Sequence, residues 1–121
     1  MKNIKVIIAT HKKYEMPTDD LYIPLHVGAE GKNSIGYEKD NTKNNISSKN
    51  PYFCELTGLY WAWKNLNTDY IGLAHYRRHF ASKKINKKDL FNSVLTKEEA
   101  DKLLDGTDII VPKMRKYYIE N

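Results

Sequence analysis

A single cysteine, Cys54, stands in 121 residues. An intrachain disulfide and a cysteine-built metal site are therefore excluded, and a reducing compartment is the simplest assumption. Its neighbours Phe53 and Leu56 suggest a small, buried apolar residue rather than a nucleophile. The sequence has no Gly-rich phosphate loop and no dinucleotide fingerprint. It also lacks the Gly-x-Ser-x-Gly elbow of serine hydrolases. Long apolar runs are missing: Val6 to Ala9 is the longest near the N-terminus, too short for a signal peptide or a membrane span. A cytoplasmic protein is the expectation. No internal repeat or low-complexity segment is visible.

Acid is missing from one stretch. Between His75 and Lys88 there are six Lys and Arg and no carboxylate. The formal net charge is +5, and residues 75–121 carry +4 of it. Such an excess attracts anions. Lys83, Lys84, Lys87 and Lys88 read as a solvated loop, whereas Arg77 and Arg78 follow directly on a strand. His75 and His79 are four apart, but they follow a strand and lack a third ligand nearby, so no metal site is expected.

What is present fits one domain over residues 1–121, with 40% hydrophobic and 29% charged residues. Ile4 to Thr10 is a β-branched run with the profile of a strand buried on both faces. Tyr22 to Val27 predicts a second strand, placed at an edge or made irregular by Pro24. Residues 28–50 read as a long ligand loop anchored by Ile46. Asn50 as N-cap and Pro51 at the first position start a helix running to about Leu66. Phe53, Leu56, Leu59, Tyr60 and Trp63 predict its core stripe, and Gly58 with Ala62 a smooth strip for close backbone approach. Glu55 beside that strip is either an exposed helix-start carboxylate or a functional one.

Tyr70 to Ala74 predicts a further buried strand. Thr96 and Glu99 form a capping box for a helix over Lys97 to Leu104, with Leu95 and Ala100 as staple and Gly106 as C-cap. Asp108 to Val111 predicts a last strand, stopped by Pro112. Strands alternating with helices indicate a parallel α/β sheet.

In such a sheet the ligand crevice lies beyond the carboxyl ends of the strands. Three ends are legible: Thr10, His11 and Lys12; His75, Tyr76, Arg77 and Arg78; and Pro112, Lys113 and Arg115. All three are basic and none supplies a carboxylate. Guanidinium forks suit phosphate oxygens, and lysine adds a point charge. A phosphorylated or nucleotide ligand is the chemistry this favours.

Thr10-His11-Lys12-Lys13-Tyr14, Asp40-Asn41-Thr42, Asn45-Ile46-Ser47, Glu55-Leu56-Thr57-Gly58-Leu59-Tyr60-Trp61-Ala62-Trp63-Lys64-Asn65, Tyr70-Ile71-Gly72-Leu73 and His75-Tyr76-Arg77-Arg78 together carry a resemblance. They resemble an uncharacterised-domain family of bacterial capsular and exopolysaccharide clusters, whose members are regarded as glycosyltransferases. The resemblance covers essentially the whole chain. It implies a Rossmann-like α/β fold similar to the nucleotide-diphosphosugar transferase (GT-A-like) type, incomplete at the C-terminus. The chain would be the truncated, donor-binding part of a larger enzyme.

In that fold the strand after the central helix normally ends in an Asp-x-Asp metal motif, where this chain has His75-Tyr76-Arg77. The resemblance thus implies a metal-independent, cofactor-free transferase in which Arg77, Arg78 and His75 hold the donor diphosphate. Thr10, His11 and Lys12 would line the nucleotide side. Asp40, Asn41, Asn45 and Ser47 would contact ribose or sugar hydroxyls. Glu55 and His75 are the candidates for catalysis. The donor is a hexosyl and specifically a galactofuranosyl candidate, and the acceptor a glycan or lipid-linked glycan. Peripheral association with the inner membrane face and homo-oligomerisation are further expectations. The family pattern has a Gly where Lys43 stands and an acid where Asn44 stands. Alternatives are an inactive remnant, or a basic module for nucleic acid or an acidic surface. Nucleic acid is the weaker of these, because no sheet face interleaves aromatic and basic residues.

Overall fold

The computed structural model describes residues 3–76, 82 and 94–111. Among these residues four strands form one parallel sheet: β1 (Ile4–Thr10), β2 (Tyr22–His26), β3 (Glu38–Lys39) and β4 (Tyr70–His75). Their order is β3-β2-β1-β4, so β1 is flanked on both sides. That position explains its unbroken β-branched run. Ile7 and Ile8 are both fully buried although they point to opposite faces. Each such side chain contributes roughly 1.5–3 kcal/mol by leaving water. Pro24 is tolerated in β2 because β3 covers only Leu25 and His26 on the outer side.

The side-chain alternation divides the core in two. Ile4, Val6, Ile8 and Tyr22 face one way, with Leu95, Ala100 and Leu104. Ile7, Ala9, Leu25 and Val27 face the other, with Trp61 and Ala62. Helix α3 (Lys97–Leu103) covers the first face. Its start is over-determined: Thr96 and Glu99 form the capping box, and Asp19 Oδ1 accepts from the Lys97 N–H at 3.0 Å. The Tyr22 hydroxyl donates to the Leu95 carbonyl just upstream. Burial and, secondarily, the nearby Asp19 and Glu99 push that phenol well above its ordinary pKa.

The predicted central helix is two pieces, α1 (Asn50–Phe53) and α2 (Leu56–Asn65), after a 3-10 turn at Ser47–Lys49. The break is at Cys54, a non-glycine residue with φ +51°. Asn50 lies inside the helix rather than capping it. Its side-chain amide donates to the Cys54 carbonyl at 2.8 Å and to Thr57 Oγ1 at 3.0 Å. These bonds hold the strained turn.

The break also re-aims the helix. Thr57, Gly58, Trp61 and Ala62 face the core, whereas the expected stripe residues Phe53, Leu56 and Trp63 are exposed. The correction has a steric cause. A Cβ on Gly58 would lie 2.7 Å from Val27 Cγ1 and 3.1 Å from Leu25 Cδ2, so only the glycine side of α2 fits against the sheet. The expected Gly58 and Ala62 strip is therefore the packed surface. Cys54, expected to be buried, is exposed.

The last expected strand is also corrected. Residues 108–111 pair with no strand among those described, and Ile109 and Val111 are exposed. Ile110 alone packs against the core. These residues lie near Tyr70 to Gly72 of the edge strand β4 but form no ladder with it.

Candidate functional site

Because all the strands are parallel, their carboxyl ends share one edge of the sheet. Register places His26 beside Thr10, and His75 beside Ala9. The alternation then separates the row into two sides. Thr10, His26 and Tyr76 belong with the α3 face, whereas His75 lies on the α2 face.

On the α2 side, His75 Nε2 lies 3.8 Å from Glu55 Oε1, and both side chains are partly exposed. Glu55 stands at the N-cap of α2 but makes no capping hydrogen bond. Its carboxylate is thus directed to the strand end instead of the helix. The strand ends themselves supply no carboxylate; the one beside His75 comes from Glu55 at the start of α2. The two candidate catalytic residues are brought together.

On the α3 side, the Tyr14 ring stacks on Tyr76 at 4.3 Å between centroids, 11° from parallel. Tyr37 Oη grips the Tyr14 backbone, donating to its carbonyl at 2.6 Å and accepting from its N–H at 3.3 Å. Thr10 is buried, and its hydroxyl donates to the Lys12 carbonyl at 2.6 Å. Its role is to turn the chain out of β1. His11 and Lys12 are exposed at the mouth of the crevice.

The residues expected to meet sugar hydroxyls do something else in part. Asp40 is fully buried. Its Oδ2 accepts from the Gly28 N–H at 2.8 Å and the Thr57 hydroxyl at 2.7 Å. Its Oδ1 accepts from the Ala29 N–H at 3.0 Å and the Ser47 hydroxyl at 2.5 Å. Four donors fill a carboxylate's capacity. Ser47 Oγ in turn accepts from the Glu30 N–H at 3.1 Å. Asn45 Oδ1 accepts from the Ser47 N–H, and its amide donates to the Lys43 carbonyl. Asp40, Asn45 and Ser47 therefore shape the loop from within. Asn41 and Asn45 are both partly exposed, and the Asn41 amide lies 3.4 Å from Glu30 Oε2.

The same loop is fastened to α2. Trp61 Nε1 donates to Thr42 Oγ1 at 2.9 Å, and Tyr60 Oη to Asn44 Oδ1 at 3.0 Å. An acid at position 44 would accept the same Tyr60 proton. Lys43 has φ +50°, the left-handed conformation that favours the glycine of the family pattern. Arg77, Arg78, Pro112, Lys113 and Arg115 lie outside the described residues.

Sequence reasoning missed His26. It is 3% exposed, and its Nδ1 has no hydrogen-bond partner among the described residues. The signal was the parity of β2: with Ile23, Leu25 and Val27 on one face, His26 falls on the other, beside Thr10. Burial pushes its pKa below the ordinary value, with His11, Lys39 and Lys32 adding to the effect and Asp40 opposing it. A depressed folded-state pKa means that the unfolded chain binds the proton more readily. Stability is then full above about pH 6.5 and falls as pH drops from there toward the folded-state value. Urea midpoints at pH 7.5 and 5.5 should show this loss, and His26→Gln should flatten the difference. A slope unchanged by His26→Gln would exclude the residue as its source.

Among the described residues, no three His, Cys, Asp or Glu cluster as a metal would need. Nor is any described helix long and apolar enough to cross a membrane.

The described strands thus form a parallel α/β sheet whose carboxyl ends bring His26, His75 and Glu55 to one edge. Residues 5–121 match the family model described as "Domain of unknown function (DUF4422)", and the chain belongs to that family. It is similar in structure to WbbM, a bifunctional glycosyltransferase solved in its apo state. The TM-score is 0.74 at 34% sequence identity, covering 86% of this chain and 21% of that one. The chain thus spans about a fifth of that relative's length. No curated protein matches it.

Proposed function

We propose that the chain is the donor-binding region of a glycosyltransferase that uses a nucleotide-diphosphate sugar. The carrying observation is the single row of parallel strand ends, with His26 beside Thr10 and His75 beside Ala9. Membership of a family with a glycosyltransferase structural relative supports the same reading. The donor diphosphate lies across this edge, neutralised by Arg77 and Arg78 with His75, and no divalent metal is required. Fixed cations can stabilise a departing diphosphate as a metal does. His11 and Lys12 meet the nucleotide, and Asn41 reaches ribose or sugar. Asp40, Asn45 and Ser47 serve by fixing the loop that carries Asn41.

In transfer, the acceptor hydroxyl oxygen attacks the anomeric carbon and the bond to the diphosphate breaks. The hydroxyl proton passes to a base, a role we assign to the Glu55 carboxylate, which lies 3.8 Å from His75 Nε2. The donor sugar is a hexosyl, with galactofuranosyl as one candidate. The acceptor is a growing capsular or exopolysaccharide glycan.

Calorimetric titration with nucleoside diphosphates, with and without EDTA, tests the binding step. Binding is expected in both conditions, and Arg77→Ala should weaken it by about 1.5–3 kcal/mol, the worth of a hydrogen bond to a charged partner. Absence of binding, or binding only with a divalent ion, would overturn this reading.

A further inference from the structure

Five polar side chains are buried among the described residues: Thr10, His26, Asp40, Ser47 and Thr57. Four of them are bonded inside the fold. Thr10 Oγ1 donates to the Lys12 carbonyl and accepts from the Lys12 N–H, while Ser47 and Thr57 both donate to Asp40. His26 is the exception, because its covered Nδ1 has no partner among the described residues. A buried polar atom without a partner is costly, and native structures keep few of them. The other unpaired atom, Thr68 Oγ1, belongs to a partly exposed residue in the turn before β4, at the opposite end of the sheet.

Position gives the unpaired nitrogen a use. His26 ends β2 beside Thr10, on the edge where a parallel α/β sheet binds its ligand. Neighbouring strands lie about 4.8 Å apart, so the ends of β2 and β4, on either side of β1, are separated by roughly 10 Å. With the diphosphate at the end of β4 and the sugar toward Glu55, the other end of the donor extends past Thr10 to β2. The ribose fills that span, and the base arrives at His26.

The character of the side chain agrees with the position. Burial lowers the pKa of the ring, which is therefore uncharged at pH 7.5. A phosphate is better served by Lys32 and Lys39, whose charges are felt at the same place. An uncharged ring with one open nitrogen suits an uncharged planar group that carries donors and acceptors along its rim.

We propose that His26 reads the base of the nucleotide donor through Nδ1, as a specificity-determining residue. This role rests on the donor-binding reading above and adds to it the residue that selects among nucleotides. A site built around a hydrogen bond rejects ligands that cannot make it, since its own buried group is then left unpaired.

Calorimetric titration of the full chain with UDP, CDP, ADP, GDP and inorganic pyrophosphate tests it. Wild type should rank the bases, with at least about tenfold between the best and the worst. His26→Leu, which is close in volume, should collapse that ranking and leave the affinity for pyrophosphate, which offers no base, within about twofold. His26→Asn keeps a hydrogen-bonding atom where Nδ1 stands and should retain the order of preference. His26→Gln moves that atom one bond outward and should lose it. Far-UV circular dichroism checks the fold of each variant, and the Asn and Gln pair carries the comparison if His26→Leu does not fold. Without ligand, the urea midpoint of His26→Leu at pH 7.5 should be no lower than that of wild type, because an unpaired polar atom is removed.

A ranking that survives in His26→Leu would overturn the proposal and leave the donor-binding reading intact. If the midpoint of that variant also fell, Nδ1 would belong to a bound water instead. Equal affinity of the wild type for every base would likewise overturn the role of His26 alone. Failure to bind any nucleoside diphosphate would overturn both.

Discussion

Asp40→Ala should destabilise the chain by roughly 3–5 kcal/mol, a large part of the 5–15 kcal/mol typical of a folded domain. The buried carboxylate joins three segments that are distant in sequence: the Gly28–Ala29 turn, Ser47 and Thr57. Removing it leaves two backbone N–H groups and the Ser47 hydroxyl without their acceptor, while the Thr57 hydroxyl keeps the Cys54 carbonyl at 3.1 Å. The desolvation cost of such orphans exceeds the net worth of the bonds themselves. Asp40→Asn should fall between wild type and Ala, because one acceptor oxygen becomes an NH₂ that faces donors. Urea unfolding at pH 7.5 measures both. A loss below about 1 kcal/mol for Asp40→Ala would contradict the hub role and return the carboxylate to the list of ligand contacts.

Gly58→Val should cost about 3 kcal/mol or more for a different reason. The Cβ alone would meet Val27 Cγ1 at 2.7 Å, Leu25 Cδ2 at 3.1 Å and Ile7 Cδ1 at 3.4 Å. Those atoms belong to side chains that are themselves buried between sheet and helix, so none can swing into solvent. Overpacking a filled core typically costs 1–3 kcal/mol, and the two further methyls of valine add to it. Gly58→Ala should be milder, since alanine's better helix propensity returns up to about 1 kcal/mol. Thermal unfolding of the pair gives the order. If Gly58→Val melts with the wild type, α2 does not sit where its buried side indicates.

The parts of the fold that were legible are those where local chemistry and tertiary position agree. Ile4–Thr10 reads as a doubly buried strand because its place beside both β2 and β4 leaves it no solvent face. Thr96 and Glu99 read as a capping box because two side chains settle that geometry locally. The face of α2 was misread, because Leu56, Leu59, Tyr60 and Trp63 recur at helical spacing on one side, whereas the side that packs carries the small residues Thr57, Gly58 and Ala62 beside Trp61. Gly58 decides between the faces, through a contact with Val27 that is visible only once the sheet exists. The helix break at Cys54 was equally hidden: it depends on the Asn50 amide bonding four and seven residues ahead. Strand β3 has two residues, too few to carry a period.

The candidate site divides in the same way. Its location at the strand ends followed from the parallel sheet, and the pairing of Glu55 with His75 joined two residues already singled out. Asp40 and Ser47 were singled out for polarity in a loop, but polarity does not reveal whether a side chain faces outward or inward. Here four internal donors turn the carboxylate inward. His26 was overlooked because a lone histidine in a short strand looks like filler until its neighbour Thr10 is known.

The broken helix has a practical consequence for experiments. The one thiol in the sequence sits on the surface and immediately precedes Glu55. A fluorophore or spin label attached to Cys54 would need no engineered cysteine and no removal of competing ones. It would sit beside the carboxylate that faces His75, where a ligand entering the crevice changes its surroundings. A position that stores backbone strain thus also offers a single, chemically addressable reporter for the approach of a donor.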